Sequence, residues 1–60
     1  MKKKFKITYM DPDVGEEVIT IEEFEDYVMD NGGIITAEEW AEDFAYTAAD
    51  KGYHKVEEIK

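Results

Sequence analysis

Four carboxylates, on Glu38, Glu39, Glu42 and Asp43, follow one another at helical spacing, and such groups can bind cations, pair with basic proteins or transfer protons. Acid–base catalysis needs a shifted pKa and the exclusion of water, which an exposed helix face does not provide. The sequence contains neither serine nor cysteine, so the common hydrolase nucleophiles are missing. We therefore expect no enzymatic activity and no cofactor.

These carboxylates belong to a wider segregation of charge. Between Ile7 and Asp50 there are fourteen Asp and Glu residues and no Lys or Arg, and the formal net charge of the chain is −9. A surface of one sign attracts the opposite sign over roughly 8 Å at physiological salt. We expect a partner with a basic protein surface, a nucleic-acid-binding protein for example, and binding neither to nucleic acid itself nor to a membrane.

Two aromatic residues accompany the acidic helix positions. Trp40, at the margin of the apolar stripe predicted for this helix, and Tyr46 lie next to the acidic face, and Trp40 either fills the core or serves as a partly exposed interface anchor. If the helix binds a partner, the acidic side chains and these two rings form the contact. The candidate partner-binding residues are Glu38, Glu39, Glu42, Asp43, Trp40 and Tyr46.

A short segment at 30–39 resembles the second half of an EF-hand calcium loop. Asp30 and Glu39 match ligand positions of that loop, and Gly33 matches its sharp turn. The first and fifth ligand positions fall on Val28 and Gly32, which offer no side-chain oxygen. We assign no metal site here and keep weak divalent-cation binding as an alternative hypothesis.

Length and composition predict a single small acidic domain over residues 1–60. Such a short chain buries only about 60% of its unfolded surface, so its stability is small, and the absence of cysteine removes disulfide support. No apolar run reaches the length of a membrane span, and the positions after the N-terminal lysines alternate in polarity, unlike an export signal. We expect a cytoplasmic location.

The N-terminal third predicts a β-hairpin. Phe5, Ile7 and Tyr9 alternate with polar residues, as in a strand with one buried face. The segment 11–15 contains Asp, Pro and Gly, which favour a turn, and a second strand follows at 18–21.

Residues 20–33 fit two structures. A capping-box pattern beginning at Thr20, with Ile21, Phe24 and Val28 at helical intervals, favours a short helix over about 21–30. The rival is a continued strand with a bulge near Phe24, since Ile19, Ile21, Tyr27 and Met29 share one parity. We prefer the short helix.

The clearest element is an α-helix over 37–51. Thr36 and Glu39 form a capping box, and Lys51 with Gly52 is typical of a helix end. A last strand is expected at 53–59, with Val56 and Ile59 on opposite faces or separated by a bulge. The apolar stripe expected to face the sheet consists of Ala37, Trp40, Ala41, Phe44, Ala45 and Ala48.

Together these elements predict an α+β fold, in which an antiparallel sheet of two or three strands packs against one main helix. The function we expect is that of a small acidic protein-binding module, such as an inhibitor or nucleic-acid mimic that docks on a basic partner. An alternative is a homo-oligomeric domain, such as a homodimer, whose charge serves solubility alone.

Overall fold

The computed structural model describes residues 2–60 and has the predicted α+β fold. The elements are β1 (Lys2–Asp11), β2 (Glu16–Glu25), β3 (Tyr27–Val28), β4 (Ile34–Ile35), α1 (Ala37–Ala48) and β5 (His54–Ile59). A three-stranded antiparallel sheet has the strand order β2-β1-β5, and a separate two-stranded sheet pairs β3 with β4. The helix α1 packs on the larger sheet.

The predicted hairpin turn is confirmed. The Asp11 carbonyl accepts a hydrogen bond from the Gly15 N–H at 2.7 Å, while its carboxylate accepts one from the Asp13 N–H at 2.8 Å. Gly15 has φ of 73°, in the left-handed region that favours glycine. The turn therefore fixes the register of β1 and β2, in which Asp11 faces Glu16.

The short helix predicted over 21–30 is wrong. Strand β2 runs without interruption to Glu25, and no bulge interrupts its pairing with β1. Lys2 faces Glu25 and Lys4 faces Glu23, so charge pairs between neighbouring strands favour the extended form. The chain turns at Asp26, whose carboxylate accepts a hydrogen bond from the Ala37 N–H at 2.8 Å. This bond occupies a backbone donor of the first helical turn.

The predicted N-terminus of α1 is confirmed. Thr36 is the N-cap, and its hydroxyl oxygen accepts a hydrogen bond from the Glu39 N–H at 3.2 Å. The same hydroxyl donates to the Glu39 carboxylate at 3.3 Å. Two acidic residues in the first turn, Glu38 and Glu39, also complement the positive end of the helix dipole.

The helix ends three residues earlier than predicted. The Asp50 N–H donates to the Thr47 carbonyl at 3.1 Å and the Lys51 N–H donates to the Tyr46 carbonyl at 3.2 Å, the pattern of a Schellman motif. The residue in the left-handed C′ position is Asp50, with φ of 49°, not the expected Gly52. Gly52 has another role, because a Cβ there would lie 2.9 Å from the Ala49 carbonyl oxygen.

Replacing Lys51 by glycine should stabilise the domain. Lys51 has φ of 68°, and relief of this left-handed strain should raise the free energy of unfolding by about 0.5–1 kcal/mol. Lys51→Ala removes the same charge but keeps the strain, and so is the matched control. Urea denaturation should rank Lys51→Gly above both the parent and Lys51→Ala, and equal midpoints for the two variants would contradict the strain argument.

The core lies between α1 and the inner face of the sheet. Phe5 and Ile7 of β1 are fully buried and contact the buried helix alanines, while Val56 of β5 packs at the margin. On the outer face Lys6 lies opposite Glu57, and Ile59 shares that face. The buried helix residues are all alanines, namely Ala37, Ala41, Ala45 and the C-cap Ala49.

The expected apolar stripe is therefore only partly correct. Trp40 and Phe44 are not in the core, since each is 37% exposed along the flank of α1 that faces β2. Alanines at four-residue intervals form the contact with the sheet and set the rotation of the helix. Within residues 2–60, no helix has the length and apolar character needed to cross a membrane.

Candidate partner-binding surface

The four helix carboxylates have different neighbours. Glu38 forms an ion pair with Lys3 of β1, whose Nζ lies 2.8 Å from the carboxylate. Glu42 approaches His54 of β5, with 2.9 Å between the carboxylate and Nε2. Both pairs are at the surface, where such contacts are screened by solvent and contribute little to stability. They orient the two side chains without removing them from contact with a partner.

The Lys3–Glu38 pair shifts both titrations. The hydrogen bond from Lys3 lowers the pKa of Glu38 from 4.5, and the same bond raises the pKa of Lys3 from 10.5. Because the pKa of Glu38 is lower in the folded state, its ion pair stabilises the fold above pH 4.5, and this stabilisation is lost as pH falls and the carboxylate protonates. Because the pKa of Lys3 is higher in the folded state, the same ion pair stabilises the fold below pH 10.5, and this stabilisation is lost as pH rises through the pKa of Lys3 in the folded state. The ion pair thus favours the folded state across the neutral range.

Glu39 and Asp43 differ in their surroundings. The Glu39 carboxylate is held by the Thr36 hydroxyl, while Asp43 lies beside an open groove on the β2 flank of the helix. α1 contains no basic residue in its last turn, and neither does the rest of the helix. The helix exterior is therefore acidic over residues 38–43 and uncharged over 44–48.

An aromatic groove, which we define by Phe24, Tyr27, Trp40 and Phe44, separates α1 from β2. It comprises two adjoining hollows of about 410 and 310 Å³ that share Phe24 and Trp40. The larger hollow has a mainly apolar lining, including Thr47 and Ala48. The lining of the smaller one includes Lys2, Glu23, Glu25 and Asp26.

The rings of the groove contact one another and the core. Phe24 lies 5.8 Å from Phe44 and 6.1 Å from the buried Phe5, measured between ring centroids. Trp40 meets Tyr27 edge to face at 6.4 Å. These contacts fix the ring positions, as is needed for a preformed binding site.

The six predicted residues do not form one cluster. Trp40 and Asp43 lie along the aromatic groove, whereas Tyr46 packs on His54 towards β5, with 6.0 Å between their rings. Sequence reasoning missed Phe24 and Tyr27 as groove residues. The available signal for Phe24 was strand parity: in a strand without the bulge that the rival interpretation assumed, Phe24 shares a face with Val18, which lies opposite Tyr9 of β1.

The segment that resembles an EF-hand loop is a tight β-hairpin. The Met29 N–H donates to the Gly33 carbonyl at 2.7 Å, and the Asn31 side-chain oxygen accepts from the Gly33 N–H at 2.9 Å. The residue with left-handed φ is Gly32, at 89°, and not Gly33 as the resemblance suggested. Across residues 2–60, no three His, Cys, Asp or Glu side chains are grouped closely enough to hold a metal ion.

The fold and surface define an acidic α+β domain with an open aromatic groove. Comparison with protein-family models, with curated proteins and with solved structures found no significant match.

Proposed function

We propose that this chain is a non-enzymatic binding module that docks on a positively charged surface of a partner protein through the exterior of α1. The observation that carries the proposal is the distribution of charge between the two layers. α1 presents Glu38, Glu39, Glu42 and Asp43 and no cation, whereas the opposite face of the sheet is mixed, with Lys4, Lys6 and Lys55 next to Glu23 and Glu57. Such a molecule approaches a basic surface with its helix foremost.

The arrangement also has an energetic cost. Like charges at three- and four-residue spacing on a helix each destabilise it by roughly 0.2–0.5 kcal/mol. The Lys3 ion pair offsets part of this cost for Glu38, and the hydrogen bond to His54 orients Glu42. A basic partner would offset more of it, because it would bring cations to the whole helix exterior.

The partner class that suits this surface is a protein whose own activity depends on a basic cleft, such as a nucleic-acid-binding protein. Occupation of that cleft would make the chain an inhibitor. A cytoplasmic location, expected from the sequence, forms part of the same proposal. Trp40 would contribute an anchor at the edge of the acidic contact, because its ring is held in place yet remains partly exposed.

Neutralising the helix carboxylates should slow association with a captured partner. Proteins retained from the native host at about 50 mM NaCl and released at about 300 mM would be purified, and their association rates measured with the parent and variant chains. The variant is Glu38→Gln, Glu39→Gln, Glu42→Gln and Asp43→Asn. Its association rate should fall by about tenfold or more at the lower salt, and the difference should shrink at the higher salt.

A matched control removes the same number of charges elsewhere, at Asp13, Asp30, Glu57 and Glu58, which lie outside α1. If only total charge matters, the two variants will slow association equally, and the proposal for α1 fails. Circular dichroism should show both variants folded, because none of the eight side chains is buried.

A further inference from the structure

The outer edge of β2 is not covered by another strand in the part of the chain that the structure describes. β2 is an edge strand ten residues long in the order β2-β1-β5, and among residues 2–60 its only partner is β1. In an antiparallel pair, alternate residues of an edge strand direct their N–H and C=O groups away from the sheet. Such groups are the template on which an extended peptide can add as a further strand.

Exposed apolar side chains lie along this edge on both faces of the sheet. Ile19 and Ile21 are 55% and 53% exposed on the outer face, where they lie opposite Thr8 and Lys6 of β1. On the helix side, the aromatic groove with Trp40 and Phe44 opens towards the same strand. Side chains of an added strand would alternate between the two faces, so one peptide could cover both groups.

The charge of β2 opposes pairing with a second copy of this chain. The strand contains five glutamates and no cation, so two β2 edges side by side would bring like charges together. A strand that contains Lys or Arg would instead bring opposite charges next to these glutamates. On the outer face Ile19 and Ile21 lie between Glu17 and Glu23, a pattern that matches a peptide with apolar residues flanked by Lys or Arg.

We infer that the β2 edge captures an extended basic segment of the partner protein by strand addition. Backbone hydrogen bonds hold the segment, its cations meet the glutamates of β2, and an apolar side chain enters the aromatic groove. This inference deepens the proposed function and rests on it only for the basic character of the partner. It adds the conformation of the bound segment and the strand that binds it.

Synthetic peptides of about nine residues provide the test. In the parent peptide, one alternate set of positions is meant for the outer face of the sheet and holds two valines flanked by lysines. The other alternate set holds Thr, except for one Phe that is meant to enter the aromatic groove. Two further versions carry backbone N-methyl groups on one or the other alternate set of residues. Only one alternate set can direct its N–H groups towards β2, and N-methylation of that set removes the hydrogen bonds to β2. That version should bind at least about tenfold more weakly than the parent peptide in fluorescence titration, and the other version about as well as the parent.

Two substitutions test the protein side. Ile21→Lys places a cation at the edge and should weaken peptide binding by about tenfold or more. Ile59→Lys makes the same change on the same sheet face, but on β5 at the opposite edge, and should leave binding unchanged. Both side chains are exposed, so the fold should persist in each variant.

The outcomes separate strand addition from the proposed function. If both N-methylated versions bind as well as the parent peptide, or both equally weakly, strand addition is refuted. If the α1 variant still slows partner association in that case, docking through the acidic helix stands. If no peptide binds at millimolar concentration, the inference also fails, and a dimer disrupted by Ile21→Lys in sedimentation would identify a second copy as the occupant instead.

Discussion

Phe5→Ala is expected to unfold the domain, whereas Phe44→Ala should leave it folded. Among residues 2–60, Phe5 is one of only two large side chains that are fully buried, and truncation of a buried Phe costs about 3–5 kcal/mol. A core of this size supplies no more than about 3–5 kcal/mol in total. Phe44 leaves more than a third of its surface in water, so its removal should cost roughly 1–2 kcal/mol.

Far-ultraviolet circular dichroism and urea titration of the two variants provide the measurement. The pair is informative because each variant removes the same atoms from opposite sides of Phe24, which contacts both rings. If Phe44→Ala loses its helical signal while Phe5→Ala keeps it, the core lies on the Phe44 side of α1, and the assignment of Phe5 to the core is contradicted.

Ala41→Leu should destabilise the domain by about 1–3 kcal/mol, because the added atoms have no space between α1 and the sheet. Ala41 is completely buried and contacts the core cluster with Phe5 and Ile7. Thr47→Leu is the matched control, since this exposed residue lies on the aromatic groove, where a larger side chain can be accommodated.

Thermal melting should show a clearly lower midpoint for Ala41→Leu and little change, or an increase, for Thr47→Leu. An Ala41→Leu variant as stable as the parent would mean that the helix can move away from the sheet at little cost. The close contact described for the alanines would then not determine the position of α1.

Elements with strong local signals were predictable from the sequence. β1 alternates polar and apolar residues over 4–9, and α1 has a capping-box pattern at Thr36, of which the structure shows the hydrogen bond from the Glu39 N–H to the Thr36 hydroxyl. Both signals depend on residues that lie only a few positions apart in the sequence. The three-stranded sheet follows from these elements once the hairpin turn at 11–15 is recognised.

The segment after Thr20 was not predictable in the same way. Its local pattern fits a helix, but β2 extends to Glu25 because its partners lie about twenty residues earlier, with Lys3 opposite Phe24 and Lys4 opposite Glu23. Distant pairing of this kind overrides a local capping pattern. The helix end shows the same limit, since Asp50 takes the left-handed position although a glycine follows two residues later.

The candidate surface was predicted only in part. The acidic residues of α1 could be found by counting charges, and Trp40 by its place beside them. The groove depends on the rotation of α1, which the buried alanines determine, and on Phe24 reaching the helix from β2. Neither relation is visible without knowing how the helix lies on the sheet.

Resistance to hydrogen exchange should be distributed unevenly through this domain. Residues 4–9 of β1 are paired on both sides, to β2 and to β5, and include the fully buried Phe5 and Ile7. Opening of β2 exposes only the β1 amides that donate to β2, and opening of β5 only those that donate to β5, so the amides of β1 become free to exchange as a set only when the whole domain opens. The central strand β1 is thus the slowest part of the molecule to open. The outer strand β2 can separate locally from β1 on a faster timescale without loss of the fold.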